Sequence, residues 1–585
     1  MNTLYQPLQN ERQFTFRAIL TGCFIGSIVA CTNVYIGLKL GLNFGASILC
    51  AVLSYSLFAA SKNKLSVLET NIAQTSGSGA ATMATAAGLT AVIPAMEMLG
   101  YSLSWQSLLL WALCIAFLGV FFAIPLRKQM IEVEQLRFPS GTATAVTILA
   151  LASDQKDALQ KTKCLLIAAI CAATITLGST FFPMLERPSL HTWLSTIPFP
   201  TWFPLGVIAT TLATWGFSLY IGPALTGATF LIGSRVVLSL CLGAILSWGI
   251  LGPLAYSQGW VTGSIMSYKN GVLGWLIWPG VAFMVSESIT SFLLSSKQSF
   301  SALKKSRISL ESTKEQIPYY WWMGGLCIAS ICTCCISASI FQIPWYFTFL
   351  AIALSSVLTI VAVRSIGETD INPVGGIGKV VQLIFGGLAP GHTLTNLMAA
   401  GITAAGASQA ADMMQDLKTG YLLQASQRKQ FISQLIGICA GVVFVVPVYY
   451  VISHTYQIGS PQLPAPSAMA WKSMAELLTK GLHALPPYSL YAVLLATLLG
   501  TFIAILKKIP SCKKYMPSGL GIGIAFILPA YYSLTMLISL LIWLIWKKQS
   551  PTSCEKYTYS IASGLIAGEG IMGIVQGIIY FYWPM

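Results

Sequence analysis

The sequence predicts an all-α polytopic membrane protein of about fourteen to sixteen transmembrane helices, with re-entrant or broken segments and a faint repeat between two halves. Three observations predict it. Of 585 residues, 55% are hydrophobic and only 9% are charged, against about 25% charged in a soluble domain; with a mean hydropathy of +0.72, the chain cannot cover a water-facing surface. Apolar runs of about 20 residues, enough to cross the hydrocarbon of a bilayer, recur along almost the whole length. Lys and Arg gather in short connections between those runs, the pattern that orients polytopic proteins.

The opening MNTLYQPLQNERQFTFR is polar and lacks a short apolar core with a cleavage site, so no removable signal peptide is expected. Spans are predicted at 16–38, 43–60, 70–99, 105–124, 163–183, 206–233, 236–256, 272–295, 319–341, 345–364, 371–389, 392–414, 430–452, 488–506, 530–546 and 557–583. Two further apolar pieces, 139–152 and 517–529, each start at a Pro and are too short to cross alone. Broken backbone at membrane depth is tolerated only where protein or a water-filled cavity surrounds it, so these pieces point to an internal cavity.

The net charge of +15 does not mark a nucleic-acid binder, because it is spread over the connections. Basic residues cluster at 62–64, 127–128, 156–163, 297–314, 428–429 and 507–514. The positive-inside rule places these connections, and the N-terminus with Arg12 and Arg17, in the cytoplasm. The charged connection 297–318 divides the chain into an N-terminal half, 1–296, and a C-terminal half, 319–585. Each half carries a Pro-Ser-Gly tripeptide after a basic loop, in RFPSGTATAVTIL and YMPSGLGIGIAFIL, and a Gln-bearing segment of small residues around Gln74 or Gln409. Repeats of this kind are common in secondary transporters, with the substrate site at their interface.

Three polar segments interrupt the apolar pattern. In ETNIAQTSGSGAATMATAAG, Asn71, Gln74 and Ser78 stand at i, i+3 and i+7 on one helical face, behind Glu69. Small residues let transmembrane helices pack closely, which accounts for the Ala, Gly and Ser but not for an amide column behind an acid; intramembrane polar groups tend to face a pathway. In ASQAADMMQDLKTG, Gln409, Asp412 and Asp416 repeat the same spacing. Asp416 is equally well explained as a helix cap paired with Lys418 or Arg428; Asp412 lies deeper among apolar residues, where charge is expensive. In RSIGETDINPVGGIGK, Arg364, Glu368, Asp370 and Lys379 surround Asn372-Pro373, a helix-start signal whose free N–H groups suit a carboxylate or phosphate.

NVYIGLKLG, the Glu69 segment, LRFPSGTATA, GETDINPVGGIGK, ASQAADMMQDLKTGYLLQAS and GLIAGEGIMGI follow one another in the order seen in the oligopeptide transporter family, and the chain resembles its bacterial and yellow-stripe-like branch over nearly its whole length. The resemblance implies a secondary transporter, proton-coupled, for small peptides or for metal–chelate complexes. Val146 stands where many relatives carry an acid, so no coupling role carries over to that position.

Other classes find little support. The sequence has no HExxH zinc-protease spacing and no P-loop, and its four His are scattered, so neither an enzyme nor a bound metal or other cofactor is expected. The fourteen Cys lie mostly in apolar runs, where a free Cys packs as a small hydrophobe. A channel is harder to separate from a transporter, but broken helices with acids at several depths suit alternating access better. The expected substrate-binding residues are Asn71, Gln74, Ser78, Gln409 and Asn372. Glu569, Asp412 and Glu69 are the expected proton-coupling residues, with Glu569 favoured because no cation lies within ten positions of it. Expected partners are the substrate, protons and the lipid bilayer, not nucleic acid; a homodimer is compatible with the sequence. The expected location is the cell inner (plasma) membrane.

Overall fold

The computed structural model describes residues 5–7, 11–41, 45–59, 63–153, 155–181, 214–267, 270–303, 317–370, 372, 374–460, 462–513 and 515–582. Among these the protein is helical throughout, with no strand. Eleven helices among the described residues are long and apolar enough to cross a membrane, so the chain is a multi-pass membrane protein. The expected connection 297–318 lies outside the described residues over 304–316, as does the first part, 206–213, of the predicted span 206–233.

The helices needed below are α1 (Phe16–Leu40), α2 (Ser47–Ala59), α3 (Val67–Ala81), α4 (Trp105–Arg127), α5 (Pro139–Ser153), α6 (Pro223–Ile232), α7 (Val272–Leu303), α8 (Trp345–Thr369), α9 (Val374–Leu388), α10 (Thr393–Leu422), α11 (Gln427–Thr455), α12 (Gly519–Ile527) and α13 (Pro551–Tyr582). They fall into two compact units. One comprises Met1–Gly37, Leu42–Thr162 and Phe292–Ile452; the other comprises Leu38–Gly41, Lys163–Ser291 and Ser453–Met585.

In the first unit α3 is the central element, with all fifteen residues buried. Its small side chains let neighbouring backbones come close. A Cβ at Gly22 of α1 would run into the carbonyl oxygen of Ala73, and one at Gly437 of α11 into that of Ser76. α3 starts at a capping box: Ser66 accepts from the backbone N–H of Glu69 at 3.0 Å, and Glu69 accepts from that of Ser66 at 3.0 Å. Both bonds satisfy amides that the first helical turn leaves unpaired. The predicted span 70–99 is therefore not one helix. α3 ends at Ala81, and short helices Met83–Ala86 and Val92–Glu97 follow around Gly88, whose φ of +75° favours Gly. By contrast, α10 runs for thirty residues without a break.

The two Pro-Ser-Gly tripeptides both mark helix starts, one in each unit. Pro139 opens α5, where fixed φ and a missing N–H cost nothing. Ser518 caps α12 by accepting from the backbone N–H of Gly521 at 3.3 Å. Neither helix reaches the length of a span, at fifteen and nine residues.

Candidate functional site

α3 and α10 are the most polar long segments of the first unit, and neither is among the eleven apolar spans. Both are almost entirely buried. Their polar side chains are thus kept away from lipid, the one arrangement that a membrane interior tolerates.

The two columns recognised in the sequence meet there. Gln74 Nε2 donates to Asp416 Oδ1 at 2.5 Å, and Ser47 of α2 donates to the same oxygen at 3.0 Å. The Ser47 and Ser78 hydroxyls lie 3.1 Å apart. Gln430 of α11 donates to the backbone carbonyl of Asp416 at 2.9 Å and to Thr75 Oγ1 at 3.2 Å. Gln74, Ser78 and Asp416 are 0 to 2% exposed. Asp416 is not a helix cap. It lies inside α10, bound by amide and hydroxyl donors from α2 and α3.

Not every polar atom of this cluster is satisfied. Asn71 Oδ1 and Nδ2, Gln74 Oε1 and Asp416 Oδ2 are buried and make no hydrogen bond among the described residues. Such groups are rare in native proteins and need an explanation. Gln409, one column position before Asp412, accepts from Thr82 at 3.0 Å, and its Nε2 is also unsatisfied. Asp412 is half-buried. Lys418, which the sequence offered as a partner of Asp416, has its Nζ over the Tyr421 ring, 5.6 Å from the centroid.

The other expected residues have defined neighbours. Glu69 is held by Arg17, with Nε 2.9 Å from Oε1 and an Nη 2.6 Å from Oε2, and by the Thr15 hydroxyl at 2.7 Å. With its place in the capping box, that makes Glu69 the anchor of α3 onto α1. Arg364 pairs with Glu134 at 2.7 Å and with Glu368 at 2.8 Å. Asp370 is not paired with Lys379. It ends α8 with a φ of +63° and accepts from the Ser140 N–H and hydroxyl at the start of α5, at 3.1 and 2.6 Å, and from Gln415 at 3.1 Å. Lys379 is buried in α9 and donates to Gln382 at 3.2 Å. Asn372 donates to Ser408 of α10 at 3.3 Å and keeps Oδ1 unsatisfied; Pro373, the expected start of a helix, lies outside the described residues.

Glu569, in the second unit, is not isolated. Lys39 at the end of α1 places Nζ 3.0 Å from its Oε1, and the backbone N–H of Ala224 in the first turn of α6 donates to its Oε2 at 2.8 Å. Both charged side chains are under a tenth exposed, and Lys39 also lies over the Tyr220 ring. The helix start supplies N–H groups and the positive end of a dipole to the carboxylate. The same unit pairs Lys507 with Glu287 at 2.6 Å.

The sequence missed Ser47, Gln430 and Lys39, and ranked Asp416 below Asp412. The signal for Asp416 was the i, i+3, i+7 spacing it shares with Gln409 and Asp412; nothing local marked the other three. No group of three or more His, Cys, Asp or Glu able to hold a metal occurs among the described residues.

Comparison with known proteins covers the same span as these elements. The family model described as OPT oligopeptide transporter protein matches residues 13–580. A Saccharomyces cerevisiae protein named as an oligopeptide transporter is 28% identical over 97% of this chain and 96% of its own length. Proteins named as metal-nicotianamine transporters are 29% identical in Oryza sativa subsp. japonica and 27% in Arabidopsis thaliana, each over 80% of this chain and 68% or 70% of their own. With the match running from before α1 to near the end of α13, the chain belongs to the OPT oligopeptide transporter family.

Proposed function

We propose that this protein is a proton-coupled secondary active transporter that moves small peptides or peptide-like compounds across the cell inner (plasma) membrane. The end-to-end match to a yeast relative named for oligopeptide transport, at 96% of that protein's length, carries the reading. A metal–chelate substrate is the second reading, favoured by the plant relatives named for metal-nicotianamine transport. Both substrate classes offer carboxylates and amines to amide and hydroxyl side chains. Catalysis has no support from the residues, and a homodimer is compatible with this reading.

The polar face of α3 and α10, with Asn71, Gln74, Ser78 and Gln409, is read as part of the substrate path, with Asn372 beside it. Asp412 and Glu569 are the coupling candidates; the contacts of Glu69 support an anchoring role instead. Charge bias supports a cytoplasmic N-terminus and a cytoplasmic 297–318 connection. Labelling, from outside intact cells, of a cysteine placed at Ser312 on a Cys-free background would reverse that orientation.

The deciding experiment uses proteoliposomes with an imposed inward proton gradient. Uptake of radiolabelled di- and tripeptides is compared with that of a metal–nicotianamine chelate. Gradient-driven accumulation of one class identifies the substrate, and accumulation of neither under any gradient overturns the reading.

A further inference from the structure

Asp416 is 1% exposed where α10 meets α3, and the hydrogen bonds its carboxylate accepts among the described residues all reach one of its two oxygens. Oδ1 takes Gln74 Nε2 and the Ser47 hydroxyl, whereas Oδ2 has no partner among the described residues. Gln74 carries an unsatisfied Oε1 on the same amide that binds Asp416, and Asn71, one turn earlier on that face, carries an unsatisfied Oδ1. Three buried oxygens from two facing helices are left without a positive partner among the described residues.

The surrounding charge is negative. Asp412 and Asp370 are close enough to interact with one another's field, and Asp412 also with that of Asp416. Cys50 of α2, a neutral thiol, lies near Asp416 as well and supplies no positive charge. Lys418 is on the same helix but has its ammonium over the Tyr421 ring. A buried carboxylate needs a compensating charge, and leaving one unpaired is strongly destabilising.

We propose that Asp416 Oδ2, Gln74 Oε1 and Asn71 Oδ1 form a binding site for one alkali-metal cation. Carboxylate and carbonyl oxygens are the ligands that hard cations take. A single carboxylate matches a single positive charge, and the described residues offer no further acid, His or Cys in a set that would hold a transition metal. A proton on Oδ2 would satisfy one acceptor and leave the other unpaired. A cation satisfies all three oxygens together, and a water carried with it accepts from Asn71 Nδ2.

The test is a binding measurement on the purified full-length protein, so it stands or falls separately from uptake of any substrate. Thermal unfolding is followed in sodium, lithium, potassium or choline chloride at fixed pH and ionic strength. The expected result is a saturable rise in midpoint with at least one alkali ion over choline, abolished in Asp416→Asn. Asn71→Leu removes an amide with no hydrogen bond among the described residues, so it should fold, and its half-saturating concentration should rise about tenfold, the equivalent of one lost contact of about 1.4 kcal/mol. Should Asp416→Asn fail to fold, Asn71→Leu and radiolabelled-sodium binding to the unmodified protein decide the matter. Equal behaviour in choline and alkali salts overturns the proposal, as does an ion response unchanged in the variants that fold. A midpoint that follows pH through Asp416 without ion preference overturns it too, and assigns the place to a proton.

Discussion

Lys39 and Glu569, 530 positions apart in the chain, form a buried ion pair of 3.0 Å whose carboxylate also accepts a backbone N–H from the first turn of α6. One charge in such a pair depends on the other. Removing a single partner strands a charge away from water and costs about 3–5 kcal/mol, whereas replacing both by apolar groups of similar volume is often neutral. Lys39→Met or Glu569→Leu alone should therefore lower the unfolding midpoint of detergent-purified protein, and Lys39→Met/Glu569→Leu together should recover most of the loss. Equal destabilisation by the double and single variants would show that the pair is not the unit of stability.

The start of α3 depends on a second buried acid. Glu69 closes a capping box and meets Arg17 of α1 through both carboxylate oxygens. Loss of a cap costs about 1 kcal/mol, and an uncompensated guanidinium adds to it. Glu69→Ala should be more destabilising than Ser66→Ala, with Glu69→Gln between them because the amide keeps one acceptor. Unfolding curves of the three variants check the order.

Close approach of helices around α3 gives a prediction of opposite character, one about size alone. Gly22 and Gly437 face carbonyl oxygens of α3 from two sides, and overpacking typically costs 1–3 kcal/mol, roughly, at each site. Gly22→Val and Gly437→Val should reduce the yield of monodisperse protein, while Gly324→Val, at a position with open space around it, should not.

Much of this architecture was legible because span length is a local property. Long apolar helices such as α1, α7 and α13 coincide with predicted runs, since about 20 apolar residues can do little else in one stretch. The break of 70–99 at Thr82 and Gly88 was hidden because Ala, Gly and Thr serve equally in a packed helix and in a turn between helices. At the site, spacing revealed each polar column but not its partner. Gln74 and Asp416 are 342 positions apart, and only the packing of α3 on α10 brings them together. For Glu569 the local reading was misleading: an absence of cations nearby in sequence said nothing about Lys39 at the other end of the chain.

The Gln74–Asp416 bond separates a packing role from a transport role. Gln74→Leu preserves volume and helicity but takes one of two donors from Asp416 Oδ1 and leaves the Ser47 hydroxyl. If the face serves only to pack α3, expression and uptake should fall together. If it lines the substrate path, uptake by correctly inserted protein should fall at least about tenfold, the effect of losing roughly 1.4 kcal/mol of binding. Normal uptake by folded Gln74→Leu rejects the assignment of this face to the path.

Coupling is the sharpest remaining question, and the geometry now sets the two candidates apart. A coupling acid must hold a proton in one state and release it in another, so its surroundings must not fix it as a permanent anion. Glu569 is engaged by the Lys39 ammonium at 3.0 Å and by a helix-start N–H at 2.8 Å, contacts that tie α13 to the end of α1 and to α6. Asp412 is half-buried, with the carboxyl groups of Asp416 and Asp370 nearby and no cation paired to it among the described residues. Asp412→Asn should therefore abolish accumulation driven by a pH gradient while leaving exchange of substrate down its own gradient. Glu569→Gln should impair both, because it breaks the ion pair that ties α13 to the end of α1. Counterflow and gradient-driven uptake, measured side by side in proteoliposomes, distinguish the two outcomes. Retention of pH-driven accumulation by both variants would place the coupling group elsewhere or remove protons from the mechanism altogether.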